Sequence, residues 1–343
     1  MRQAFLSFAI LSLFGCTAAN AAPTDPAPPI SSADETKEHD AREAIFAMIN
    51  TAIAAKDFAA LDALEQDYAA SRERTPAGVW KLRIYNSWIR WKLDERIEKG
   101  SGCVAPMAQF VAEWRASSPH SPSAVITEAS QLIDQASCFR GGDYADRVPP
   151  EAWAKFGEKR DAAVALLAAN RELASANPEF YALELDTIGF QGSGTRTFDR
   201  VFAEATARYP DYATIYTRAA LDLLPQWGGS YPQIEALVRT ATTKSRASYG
   251  MGLYAQVFRE LEECGCDVIA QAADWTTMKV AMRDLYARYP VRNNAEYFAK
   301  LACRMGDREE GRRYIRAQHP GVTNEDAFFL LFGTCDMQAN QHS

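Results

Sequence analysis

Histidine is scarce in this chain, four in 343 residues, and His39, His120, His319 and His342 stand far apart. Neither H-E-x-x-H nor a pair of C-x-x-C motifs occurs, so the ligand spacing of a zinc site is missing. Gly189-Phe190-Gln191-Gly192-Ser193-Gly194 has neither the spacing nor the preceding strand of a phosphate loop. No serine stands in a nucleophile-elbow context, and no histidine is placed by the pattern to serve one. Long basic runs are missing too: 37 Lys and Arg against 44 Asp and Glu give a net charge of −7. A phosphate-binding surface needs clustered cations, so nucleic acid is argued against, and this charge mainly serves solubility. Beyond the first residues no apolar run is long enough to span a bilayer. From these absences no catalytic residue, no metal and no cofactor is assigned.

The first forty residues point to export. Arg2 supplies a short positive region, and Ala4 to Gly15 is apolar but too short for a membrane span. Ala19-Asn20-Ala21 fits a signal-peptidase site, giving a signal peptide over 1–21. Alternatively, Leu13-Phe14-Gly15-Cys16 reads as a lipobox with an unusual Phe14, and Cys16 would carry a lipid. The expected location is the periplasm, with outer-membrane attachment only through that anchor. Residues 22–40, rich in proline at 23, 26, 28 and 29, are expected to be a solvated tether. A helical domain is expected over 41–336 and a tail over 337–343. Without Cys16, six of the seven cysteines remain. An even number in an oxidising compartment fits up to three disulfides.

From Ala41 onward the apolar spacing is helical, and no convincing strand pattern occurs. Ala44, Met48, Thr51 and Ala55 share one face, and after Lys56-Asp57 a second helix carries Phe58, Leu61, Leu64, Glu65 and Tyr68. Thr75-Pro76, Ser121-Pro122 and Asn177-Pro178 each read as a cap followed by proline at the first helical position. Thr323 and Asp326 form a related cap. Ala207-Arg208-Tyr209-Pro210 is echoed by Ala287-Arg288-Tyr289-Pro290, and Met305-Gly306-Asp307 turns into a helix over Arg308 to Gln318. Pro178, Pro210 and Pro290 are 32 and 80 residues apart, which suits one helix-turn-helix unit of about 34 residues and then two longer ones. The expected fold is all-α: fourteen or fifteen helices in TPR-like antiparallel pairs, stacked as an α-solenoid.

Two separated motifs carry a resemblance. Arg140-Gly141-Gly142-Asp143-Tyr144-Ala145-Asp146, then Trp153, then Leu224-Pro225-Gln226-Trp227-Gly228-Gly229-Ser230 resemble an uncharacterised bacterial domain-of-unknown-function family with TPR-like repeats. The resemblance spans roughly 114–245 and departs at Pro149-Pro150, where such sequences more often carry a Ser-type cap. It implies a repeat-like helical fold and no established activity. Read physically, Pro225 ends a helix, Trp227 packs over that end, Gly228-Gly229 permit positive φ, and Ser230 with Gln233 form a capping box. Arg140 and Asp146 are placed to pair across the glycine loop.

Trp80, Ile84, Trp88 and Trp91 form one stripe of the third helix, Leu82, Tyr85, Ile89 and Leu93 a second, and Arg83, Asn86 and Arg90 a polar edge. A helix apolar on two sides is usually sandwiched, but Trp, Tyr and Arg are also the usual anchors of interfaces. The candidate binding residues are therefore Trp80, Trp88, Trp91, Arg140, Tyr144, Asp146 and Trp227. Cys103, just before a helix starting near Ala105, and Cys138, at the end of the next, are expected to form a disulfide. Cys264-Gly265-Cys266 sits among Glu262, Glu263 and Asp267, whose charges slow thiolate chemistry, so its role is read as structural. The expectation is an exported helical-repeat protein, not an enzyme, that binds a protein or peptide partner and no nucleic acid. Two rivals stand beside it: an envelope immunity or inhibitor protein, and a cell-envelope enzyme with an unrecognised site.

Overall fold

The computed structural model describes residues 27–31, 36–94, 97–98, 102–189, 196–262, 267–323, 325–327, 330 and 333. The expected export signal, Cys16, Cys264, Cys266, Cys335 and the expected 337–343 tail lie outside them. The described residues are helical almost throughout and contain no strand. A single antiparallel bridge joins Arg74 and Trp80. No helix among them is long and apolar enough to cross a membrane.

Helices α1 (Lys37–Ala55) and α2 (Phe58–Ser71) form a hairpin. Lys56 turns it in the left-handed region, φ 51°, and the Asp57 carboxylate caps α2 by accepting the Ala60 N–H at 3.0 Å. Next come α3 (Lys81–Asp94), α4 (Ala108–Ser117), α5 (Pro122–Arg140), α6 (Pro150–Ala169), the short α7 (Arg171–Ala174) and α8 (Glu179–Gly189). The remainder is α9 (Arg196–Arg208), α10 (Ala213–Leu221), α11 (Tyr231–Lys244), the short α12 (Arg246–Tyr249), α13 (Gly252–Glu262), the short α14 (Val268–Ala272), α15 (Trp275–Arg288), α16 (Arg292–Arg304) and α17 (Arg308–Gln318). Neighbouring helices pack on one another, α5 on α6 and α16 on α17 most extensively.

Two apolar cores meet at α10. Its Ile215 and Ala219 face a core built mainly from α1 to α5, α8 and α9, while Ala213, Tyr216 and Ala220 face a second core extending to α17. At 3.6 residues per turn the two sets occupy separate neighbouring faces, so α10 packs against both cores.

Several expectations need correction. In α1 the buried stripe is Ile45, Ile49 and Ala52; Ala44, Met48, Thr51 and Ala55 are exposed. The β-branched and larger apolar side chains take the core, and the weaker alanine stripe faces outward, where with α2 it borders an open apolar groove. Ser121 caps α5 as its pattern indicates, accepting the Ala124 N–H at 3.1 Å. Thr75-Pro76 does not open a helix: Thr75 N–H donates to Val79 O at 2.7 Å, closing a turn, and α3 starts at Lys81. Gly78 (φ +87°) makes this turn, and a Cβ there would fall 2.6 Å from the Tyr289 ring. The turn is held from afar. Tyr249 Oη donates to Gly78 O at 2.5 Å, Asn294 Nδ2 to Ala77 O at 3.3 Å, and Arg74 pairs with Asp211. The 22–40 tether is also wrong in part. Ile30 N–H donates to Ala317 O at 2.8 Å, Tyr286 Oη donates to Pro28 O at 2.9 Å, and Ala27 and Ile30 are buried. Two apolar side chains and free backbone groups suffice to dock this proline-rich stretch.

A polar knot sits inside the first core. Asn177 Nδ2 donates to Glu65 Oε1 at 3.1 Å, Asn86 Nδ2 donates to Asn177 Oδ1 at 3.1 Å, and Tyr212 Oη donates to Glu179 Oε2 at 2.9 Å. Burial pushes the Glu65 pKa up to about 7, against the pull of the Asn177 hydrogen bond.

Candidate functional site

The two motifs of the resemblance, eighty residues apart in the chain, line one open cleft of about 500 Å³. Arg140, Gly142, Asp143, Tyr144, Asp146 and Trp227 form its walls. Arg140 is the last residue of α5, and the loop beyond it ends in a 3-10 turn over Ala145–Arg147 before Pro150 opens α6. Trp227 closes a second 3-10 turn, Pro225–Trp227, after α10. Extensive packing of α5 against α6 fixes the ends of the first loop. Gly229 fixes the second by close approach: a Cβ there would fall 2.2 Å from Leu223 O, and Gly228 supplies the positive φ, +89°.

The geometry centres on a cation between aromatic rings. The Arg140 guanidinium carbon lies 5.8 Å from the Trp153 ring and 5.8 Å from the Trp227 ring, within the range of cation–π attraction. Its Nη1 donates to Gly141 O at 2.8 Å. The expected pairing of Arg140 with Asp146 is not made; the tryptophan faces and the loop carbonyl take the guanidinium instead. Arg147 lies 5.3 Å over the Tyr144 ring. Tyr144 is 74% exposed, Trp227 52% and Trp153 38%, so two tryptophans beside Arg140 and a tyrosine beside Arg147 stand partly in solvent. Ser230 also departs from its pattern: it donates to the Gln233 side chain at 3.0 Å and caps no backbone N–H.

Of the seven candidate residues, Arg140, Tyr144, Asp146 and Trp227 come together here, and the three on the third helix do not join them. Trp80 lies before α3, is 2% exposed, and packs edge-on against Tyr212 with centroids 5.4 Å apart. It is a core residue, because the Arg74–Trp80 bridge turns it inward. Trp88 stacks on Phe46 at 3.7 Å and donates from Nε1 to Asn50 at 3.0 Å. Trp91 leans on Trp88 and is 48% exposed under Lys92. Leu82, Ile84, Tyr85, Ile89 and Leu93 are buried, so most of α3 is sandwiched. Asp143 and Gln226 complete the cleft, and Trp153 lies against Arg140. Trp153 had a signal in its place between the two motifs, while Gln226 had none of its own.

Cys103 and Cys138, the pair expected from the helix order, stand at disulfide distance, with Cα atoms 5.7 Å apart. The bond ties the approach to α4 to the last turn of α5, two residues before Arg140. Cys303 is also disulfide-bonded; Cys264, Cys266 and Cys335 lie outside the described residues. Among the described residues no group of three or more His, Cys, Asp or Glu is placed to hold a metal ion. Comparison of the chain with protein-family models, curated proteins and solved structures finds no match.

Proposed function

We propose that this is an exported helical-repeat protein that docks a segment of a protein or peptide partner in the Arg140–Trp227 cleft. One observation carries the reading: two distant motifs line one cleft and leave Tyr144 and Trp227 largely in solvent there, beside Arg147 and Arg140. Exposed tryptophan and tyrosine beside arginine are the side chains that most often anchor interfaces, since they bury much area at little entropic cost. Asp143 and Asp146 add a rim of carboxylates for hydrogen bonding. Export is supported by the N-terminal signal pattern together with the disulfide distance between Cys103 and Cys138, and the periplasm is the proposed compartment. For the architecture we propose TPR-like helix pairs, as the resemblance implies. The Ala-Arg-Tyr-Pro turns support it: Tyr209 and Tyr289 each donate N–H to the carbonyl four residues back, at 2.8 and 2.9 Å, before the next helix. The array differs from an open solenoid in the turn at Ala77–Gly78, which reaches residues more than 170 positions away.

The test is affinity capture from envelope extract with wild type, Trp227→Ala and Tyr144→Ala. The expected result is a discrete partner whose binding each variant weakens by about 2 kcal/mol, the scale of an interface anchor, with unchanged thermal unfolding. Identical capture by wild type and both variants would overturn the reading.

A further inference from the structure

A row of ionisable side chains runs from one wall of the cleft to the other. On α5, Asp134 stands six residues before Arg140 and accepts from both Nε (3.0 Å) and Nη2 of Arg90 on α3. On α10, Arg218 lies 3.5 Å from Asp186 of α8, and Asp222 follows four residues later as the C-cap of α10. Asp186 is close enough to Arg90 for their charges to interact, and Glu179 of α8, hydrogen-bonded by Tyr212, adds its charge to both. The row thus sets four carboxylates against two guanidinium groups.

Asp222 is the base of the second wall. Two residues on, Leu224 O accepts the Trp227 N–H at 2.8 Å and the Gly229 N–H at 3.3 Å, and Gly229 packs closely on Leu223. A movement of Asp222 therefore carries Trp227 with it. Its carboxyl is badly placed for a charge. It is half-buried at the C-terminal, negative end of α10. It shares Arg218 with Asp186, and an arginine four residues before an acid is the weaker order for a helical ion pair. Burial first, and then the Asp186 charge, push its pKa up to about 7 against the pull of Arg218.

We infer that the cleft is regulated by pH: the Asp134–Arg90–Asp186–Arg218–Asp222 row holds the two walls together while Asp222 is neutral, and ionisation of Asp222 drives it toward solvent and displaces the Trp227 wall. The described geometry is then that of the neutral form, and a docked partner is released as the medium becomes alkaline. That consequence rests on the docking proposed above; the movement itself does not.

Fluorine NMR of the whole protein labelled with 5-fluorotryptophan reads the movement without any partner. Seven tryptophans give seven resonances, and Trp227→Phe assigns the one required. The Trp227 resonance should shift between about pH 5.5 and 8.5 with a midpoint of about 7, while that of Trp91 stays in place. Asp222→Asn, which keeps the shape of the neutral acid, should hold Trp227 at its low-pH position throughout. Arg218→Gln should raise the midpoint and Asp186→Asn should lower it, which a packing role alone would not produce; these two decide the matter if Asp222→Asn does not fold. Glu65→Gln, in the other core, should leave the Trp227 titration as it is. A Trp227 resonance that does not move over this range, one that titrates unchanged in Asp222→Asn, or a midpoint indifferent to both Arg218→Gln and Asp186→Asn would overturn the inference and leave the docking untouched. A titrating Trp227 with partner capture indifferent to Trp227→Ala would support the switch and remove only its consequence for docking.

Discussion

Two arginine-centred sites of this molecule are built in opposite ways. Arg140 lies in an open cleft, over two tryptophan rings, and pairs with neither Asp143 nor Asp146 across its loop. Arg83 lies between helices, 18% exposed and ion-paired to Glu260, whose side chain is 5% exposed. The first arrangement leaves aromatic area and charge available to a partner and adds little to the fold. The second makes a charge pair part of the fold, so removing either member leaves an uncompensated buried charge.

The largest effect expected from this contrast is on stability. Arg83→Met should cost about 3–5 kcal/mol by stranding Glu260, and Arg83→Met with Glu260→Met should recover most of the loss. Arg140→Met should change stability by no more than about 0.5 kcal/mol, as at other open surface positions. Urea unfolding of the three variants measures this, and equal losses at Arg83 and Arg140 would erase the distinction.

The Cys103–Cys138 bond sharpens the contrast, because it closes a loop with a sequence separation of 35 just before Arg140. Cys103→Ala with Cys138→Ala should cost about 3–4 kcal/mol in the chain-entropy model. It should also weaken the partner bound at the open cleft, because the end of α5 under Arg140 loses its tie. Urea unfolding and partner titration of the same double variant read the two effects.

A third prediction concerns the polar knot of the first core. Burial raises the Glu65 pKa from 4.5 to about 7 in the fold. The folded state therefore holds a proton that the unfolded chain releases, and stability falls as pH rises from about 4.5 to 7, then levels off. Glu65→Gln keeps the Asn177 hydrogen bond and removes this fall. It should match wild type near pH 4 and exceed it by up to about 3 kcal/mol at pH 8. Asp222, raised from 3.8 to about 7 chiefly by burial, should leave a fall of comparable size in the variant, so the Glu65 contribution is the difference between the two pH profiles. A wild-type stability that rises between pH 5 and 7 would show the sign to be wrong.

The comparison also explains what could be read from the chain. The open cleft was legible because its walls are contiguous loop motifs, RGGDYAD and LPQWGGS, whose glycines and exposed aromatics are visible in the sequence itself. The Arg83–Glu260 pair was not: its members are 177 positions apart, and Arg83 read only as the polar edge of a helix. Helical periodicity gave the class of fold, and Asp307 caps α17 where its pattern placed it. Periodicity misled where weak and strong apolar stripes compete, as in α1, and where distant groups impose a turn, as Tyr249, Tyr289 and Asn294 do at Ala77–Gly78.

The central claim is that the Arg140–Trp227 cleft is where a partner docks, and site-specific photo-crosslinking tests it most directly. A photoreactive phenylalanine analogue placed at Tyr144 in the producing cell should give one discrete adduct, and Trp227→Ala should abolish it. The same analogue at Trp91, the exposed end of the separate Phe46–Trp88–Trp91 patch, should give none. An adduct at Trp91 with nothing at Tyr144, or a Tyr144 adduct indifferent to Trp227→Ala, would contradict the account.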